Sequence, residues 1–183
     1  MNICILNGNP QAGANGFDDY LKQLAGALES RGHKTEEIVL RDLEIRSCQG
    51  CFGCWLKTPG ECVLADDGAQ VCRAALRSDL LILASPLIMG FVSARLKICL
   101  DRLIPIIHPY ITLVRGECHH RARYERYPQI ALLTAPEENG APEDLEITAA
   151  ILARTALNMK SRLALVKTTE DDAKEVADEL VRV

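Results

Sequence analysis

Short, unbroken apolar runs alternate with amphipathic segments of helical period along the whole sequence. The runs at residues 2–6 (Asn-Ile-Cys-Ile-Leu), 38–40, 80–84, 130–133 and 163–166 are too short for buried helices and read as strands. Between them, Leu21, Leu24 and Leu28, then Val71, Ala75 and Leu76, then Leu96, Cys99, Leu100 and Leu103, and last Val176 and Leu180 recur at the spacing of helix faces. A strand that is apolar on both faces has to be covered on both, and that is the condition of a parallel sheet between helices. The chain of 183 residues is therefore expected to form one α/β domain, 1–183, with a doubly wound five-stranded parallel sheet in three layers. Gly32 is placed to stop the first helix, Ser93 to cap the one carrying Leu96, and Pro142 to open a long helix ending near Met159. Thr169, with Asp172 three residues on, is expected to cap the last. Ligands of such sheets bind beyond the carboxyl ends of the strands, which directs attention to the loops after residues 6, 84 and 134.

Composition excludes several classes. A net charge of −4 argues against nucleic acid or an anionic membrane as the main partner, and no apolar stretch approaches the roughly 20 residues of a spanning helix. The first residues lack a basic region and a small-residue cleavage site, so a soluble cytoplasmic protein is expected. In a reducing compartment eight cysteines are not a disulfide framework. Cys4, Cys72 and Cys99 fall in apolar patterns and read as small buried hydrophobes, and Cys118 falls in a polar loop. Cys48, Cys51, Cys54 and Cys62 are packed into fifteen residues.

The loop after the first strand, Asn7-Gly8-Asn9-Pro10-Gln11-Ala12-Gly13-Ala14-Asn15-Gly16-Phe17, leads into a helix, where backbone N–H groups can cradle a phosphate. Gly8 and Gly13 have the Walker A spacing, but Ala14-Asn15 stands where Lys and Ser/Thr are required, and the dinucleotide fingerprint is absent. The plain alternative is a glycine-rich turn without a ligand. The loop after the third strand, Ser85-Pro86-Leu87-Ile88-Met89-Gly90-Phe91, is apolar where polar residues are the rule, which suits either a flat apolar ligand or burial under the next helix.

Taken together, the first loop, the Ala-Ser-Pro-x-x-x-Gly stretch from Ala84 to Gly90, the Ser93-Ala94 pair and the Leu-Lys…Leu-Asp-Arg run ending at Arg102 resemble the NAD(P)H-dependent FMN reductases of the flavodoxin-like group. The resemblance implies a flavodoxin-like fold and FMN. The phosphate would lie on Asn9, Gln11, Asn15, Gly16 and Phe17. The isoalloxazine would lie along Ser85, Pro86, Leu87, Ile88, Met89 and Gly90, with a third contact at Thr134 and Ala135. It implies an FMN-dependent oxidoreductase that takes electrons from NAD(P)H to a flavin, quinone or similar small-molecule electron acceptor, with the chemistry on the flavin and no catalytic side chain. Members commonly carry serine after the first glycine and Ser-Asn-Thr before the helix. Asn9 and Ala14-Asn15-Gly16 stand there instead, so hydroxyl donors to the phosphate are missing.

Cys48, Cys51, Cys54 and Cys62 spell C-x2-C-x2-C-x7-C. Four thiolates suit a [4Fe–4S] cluster, zinc can also take four, and the same residues can remain free or redox-active thiols. The spacing resembles the compact motif of archaeal-type iron–sulfur flavoproteins, which implies electron exchange with a ferredoxin-like partner as an alternative function. A third reading is a non-catalytic metal- or thiol-sensing module. Trp55 is expected to pack. Cys118-His119-His120 holds metal-ligand types, but adjacent histidines rarely meet on one ion. Arg121, Arg123 and Arg126 are candidates for a cofactor phosphate or a subunit contact. Asp66-Asp67 is expected to open the helix carrying Val71, and Lys97 and Asp101 to pair on a helix surface. The excursion at 104–127, the apolar residues from Leu103 to Ile107 and at Tyr110, Ile111, Leu113 and Val114, and the helix bearing Ile147, Ile151, Leu152 and Leu157 point to a homodimer or homotetramer.

Overall fold

A computed structural model describes residues 1–13, 16–114 and 116–183. The five expected strands form the parallel sheet: β1 (Asn2–Asn7), β2 (Lys34–Val39), β3 (Leu80–Ile88), β7 (Gln129–Ala135) and β8 (Leu163–Thr168), in the order β2-β1-β3-β7-β8. That order is the flavodoxin-like one, with its switch point between β1 and β3. The register sets Ile5 beside Ile82 and Ile82 beside Ala131. A two-residue strand, β4 (Phe91–Val92), folds back on β3, and an antiparallel hairpin of β5 (Ile107–Val114) and β6 (Glu117–Ala122) stands outside the sheet.

The period-two alternation sorts the core into two halves. Ile3, Ile5 and Ile82 face α1 (Phe17–Ser30) and α6 (Ala173–Leu180), through Leu21, Leu24, Leu28 and Val176. Cys4, Leu6, Leu81 and Leu83 face α3 (Gly68–Arg77), α4 (Ala94–Asp101) and α5 (Asp144–Asn158), through Val71, Leu96, Cys99 and Leu152. The three layers follow directly. Burial, with the charge of Glu36 adding to it, pushes the Cys4 thiol up to about 12, and burial likewise raises Cys72 to about 12. Among the described residues no helix is long and apolar enough to cross a membrane.

Several local expectations change. β2 begins at Lys34, ahead of the apolar run, because an edge strand has a solvent side and tolerates Lys34, Glu36 and Glu37. Gly32 ends α1 at φ +82°, and Ser93 caps α4 by accepting the Leu96 N–H, both as expected. The cap of α6 is Asp172 rather than Thr169, since the Asp172 carboxylate accepts the N–H groups of Lys174 and Glu175. Cys118, His119 and His120 lie on strand β6, not in a loop, so the two histidines point to opposite sides. His119 is bonded by Asn158 and Glu117, and His120 lies 4.9 Å from the Trp55 ring. Leu103, Ile106 and Ile107 are core, which removes them from any surface patch, whereas Tyr110, Ile111, Leu113, Ile147 and Ile151 are exposed. Arg123 donates to the carbonyls of Pro105 and Ile107, and Arg126 pairs with Asp79 at 2.8 Å.

Candidate functional site

Two centres emerge, one at the carboxyl ends of the strands and one in the cysteine segment. At the first, the end of β3 and the loops after β1, β7 and β8 bound a cavity of about 640 Å³, within the range of small-molecule sites. Asn9, Gln11, Pro86, Leu87, Ile88 and Ala135 line it, as the resemblance implies. Glu137, Glu138, Thr169 and Glu170 also line it. The last two were missed in the sequence because the loop after β8 carries no motif, and only its place beyond a carboxyl end could have pointed to it.

The other residues implied by the resemblance that the structure describes stand around the cavity rather than in it. Ser85 is buried, accepting the Ser93 N–H at 2.8 Å and donating to the Pro86 carbonyl, so it braces the loop. Thr134 is buried beside it. The Phe17 ring is core under α1, which corrects its expected contact: only its backbone, at the helix start, is near. Met89 and Gly90 take φ +53° and +77° at the tip of the β3–β4 hairpin, the pattern of a type I′ turn. The Gly90 carbonyl accepts from Thr148 of α5, and a Cβ at Gly90 would meet the Asp144 carboxylate at 2.9 Å. Ile88 and Met89 are thereby held out as an exposed apolar edge. Asn15 lies outside the described residues.

The loop after β1 is built around a carboxylate. Asp18, in the first turn of α1, accepts from the Asn7 amide at 2.9 Å, the Asn9 amide at 3.0 Å and Arg41 at 3.0 Å. Burial raises its pKa, but these bonds and the Arg41 charge outweigh that, and Asp18 titrates below the usual carboxylate range. The Asn9 side chain donates one amide hydrogen to Asp18 and accepts the Gln11 N–H, so it shapes the turn. Gly16, at φ +66°, starts α1 without a side-chain cap, leaving first-turn N–H groups for an anion. Gly8 is wedged beneath: a Cβ there would lie 2.8 Å from Leu96 Cβ and 3.1 Å from the Ala84 carbonyl. Gly8→Val is expected to destabilise the fold by about 1–3 kcal/mol through overpacking, lowering Tm by about 2–4 °C per kcal/mol. It should weaken FMN binding in the same variant; a thermal melt and a flavin titration read both.

At the second centre, all four cysteines line one small cavity, with Phe52, Leu64, Ile104 and Pro105 as its apolar wall and Arg102 as its cation. Cys54 is buried on the short helix α2 (Gly53–Leu56), Cys62 is half-buried, and Cys48 and Cys51 are exposed. Burial first, then the neighbouring Cys62, Cys48 and Cys51, push the Cys54 thiol up. Among the described residues no three Cys, His, Asp or Glu side chains are gathered as ligands of a single ion. Trp55 anchors the segment: its Nε1–H donates to the Ile104 and Ile107 carbonyls, and its ring stacks on Phe52 at 5.3 Å. Asp66 does more than open α3. It accepts the Gly68 N–H and forms a buried bidentate pair with Arg102 at 2.7 and 2.8 Å. Lys97 and Asp101 make the expected surface pair at 2.7 Å.

Sequence comparison matches residues 1–155 to the NADPH-dependent FMN reductase family. The chain belongs to that family. Within it, an iron–sulfur flavoprotein of Methanocaldococcus jannaschii is 33% identical over 106 residues, 58% of this chain and 53% of that protein. One of Archaeoglobus fulgidus is 38% identical over 81 residues, 44% of this chain and 36% of the relative. The matched region thus spans about half or less of the length of these relatives. Among solved structures, an FMN-dependent NADH-azoreductase of Bacillus anthracis superposes with TM-score 0.66 at 12% identity, covering 100% of this chain and 95% of the other. The NAD(P)H:quinone oxidoreductase of Methanothermobacter marburgensis gives 0.64 at 20% identity, covering 100% and 94%. At these identities the FMN reductase family shares with them the fold.

Proposed function

We propose that this FMN reductase family member is an FMN-dependent oxidoreductase that takes electrons from NAD(P)H to a small-molecule acceptor, and that its four cysteines hold a [4Fe–4S] cluster. The observation that carries the flavin reading is the cavity at the switch point, with Pro86, Leu87 and Ile88 as an apolar lip and the uncapped start of α1 beside it. A bound flavin supplies hydride and single-electron chemistry through its own ring. The protein's part is to seat that ring against the β3–β4 hairpin, which Ser85 and Thr148 hold still, and to offer backbone N–H groups to the phosphate. The want of loop hydroxyls, with Asn9 and Ala14-Asn15-Gly16 in their place, favours a flavin that exchanges.

The donor set at the second centre fits a cluster: four thiols on one apolar-walled cavity, facing one buried guanidinium. Cys48, Cys51, Cys54 and Cys62 would ligate it, and it would supply one-electron transfer. The curated relatives are named iron–sulfur flavoproteins, which favours the cluster over zinc. A ferredoxin-like partner is then a second acceptor. The exposed Tyr110, Ile111 and Leu113 of the hairpin and Ile147 and Ile151 of α5 support a homodimer or homotetramer, which sedimentation would read.

The test is an absorption spectrum of protein purified without oxygen, with iron and sulfide assays and NADH and NADPH oxidation on the same sample. Flavin bands bleached by NAD(P)H, with about four irons per chain for a [4Fe–4S] cluster, are expected. Flavin without iron overturns the cluster, and a colourless protein that does not take up FMN overturns the whole reading.

A further inference from the structure

Arg102 sits at the C-terminal end of α4 with its side chain 2% exposed, against an Asp66 side chain that is 0% exposed. Its Nη1 donates to Asp66 Oδ2 at 2.8 Å and to the Arg46 carbonyl at 2.6 Å, and its Nη2 donates to Asp66 Oδ1 at 2.7 Å. The remaining nitrogen, Nε, is buried and has no partner among the described residues. A charged group's donor left unpaired in the interior is strongly unfavourable, so such a group calls for an acceptor. The chain also makes room for this guanidinium: a Cβ at Gly68 would lie 2.8 Å from Nη2. Arg102 lines the same cavity as Cys48, Cys51, Cys54 and Cys62, and among the described residues no other Lys, Arg or His lines it. The apolar remainder of that wall keeps the local dielectric low, where a fixed donor acts strongly.

We infer that Arg102 is a positioning residue of the four-cysteine site, clamped by Asp66 so that its Nε–H is left for a sulfur of the anionic group the cysteines hold. This rests on the cluster reading of those cysteines. Each electron accepted there adds one negative charge, so a hydrogen bond to sulfur favours the reduced form and raises the potential. Asp66 opposes this with its own charge while fixing the direction of the donor. The two residues therefore pull the potential in opposite directions, whereas a merely structural pair would act on stability alone.

The experiment compares wild type, Arg102→Gln, Arg102→Lys and Asp66→Asn, all purified without oxygen. Iron and sulfide are counted, the cluster potential is measured by a titration followed by electron paramagnetic resonance, and FMN content reports the fold. In Arg102→Gln the equilibrium constant for cluster reduction should fall at least tenfold, about 59 mV for one electron. Arg102→Lys, which keeps the charge but lacks the Nε–H, should move it the same way by less, and Asp66→Asn should move it the opposite way. Iron and sulfide present with the potential unmoved in these variants overturns the role of Arg102 and leaves the cluster standing. Wild type without iron and sulfide overturns both. Should Arg102→Gln fail to fold, the opposite signs in the other two variants decide the matter.

Discussion

Asp66→Ala is expected to destabilise the protein by about 3–5 kcal/mol, a large share of the roughly 5–15 kcal/mol that holds a domain folded. The substitution leaves the Arg102 guanidinium buried without its counter-charge, and it removes the acceptor of the Gly68 and Arg46 N–H groups that joins the cysteine segment to α3. The same pair makes stability depend on acid. The bidentate bond from Arg102 chiefly, against the opposing effect of burial and with help from the Arg46 and Gly68 N–H groups, holds Asp66 well below the usual carboxylate range. A carboxyl depressed on folding contributes its stability in full above its unfolded value, about 3.9, and loses it as pH falls below that toward the folded value. Tm should therefore be steady from neutral pH to about pH 5 and then fall, with a gentler fall in Asp66→Asn. Melting curves between pH 7 and pH 3 check this, and matching slopes in the two proteins would remove the claim.

Cys54→Ser is expected to take iron and sulfide from about four per chain to background while FMN remains. Cys54 is the buried member of the set and sits on α2, between the exposed Cys48 and Cys51 and the returning Cys62. Its loss removes the ligand at the inner wall, and a hydroxyl is a poor substitute for a soft thiolate. Among the described residues the cavity at the strand ends shares no lining residue with the cysteine cavity, so the flavin bands should survive. Cys118→Ser, at an exposed position on the hairpin, should leave iron, sulfide and flavin as they are. Iron retained at wild-type level in Cys54→Ser would show that these cysteines are not the ligands.

The central sheet was legible because strands covered on both sides write themselves as unbroken apolar runs, and Leu80–Ile88 and Gln129–Ala135 are such strands. Where a strand has a wet side the signal fades, as in the polar first half of β2. The hairpin was not legible: Pro109 falls within β5 and His119-His120 within β6, and both look like loop. The apolar residues that lead into it, Leu103, Ile106 and the first residue of β5, Ile107, looked like surface because the sequence does not say that they join the core under α3. Of the candidate site, the loops could be placed from strand ends alone. The division of labour within them could not, since Ser85 braces and Pro86 lines although they are neighbours. The Asp66–Arg102 pair, separated by 36 residues, was hidden by a local reading in which Asp66 simply suited a helix start.

Helix α4 has one further consequence. Its eight residues make a rod of about 12 Å. At one end Ser93 is tied to Gly8 and Ser85 under the flavin loops, and at the other Arg102 enters the sulfur cavity. A close-packed rod transmits displacement instead of absorbing it. The helix therefore fixes the distance and orientation between the hairpin at one end and the guanidinium at the other, and any influence that filling one centre had on the affinity of the other would be returned by the same factor.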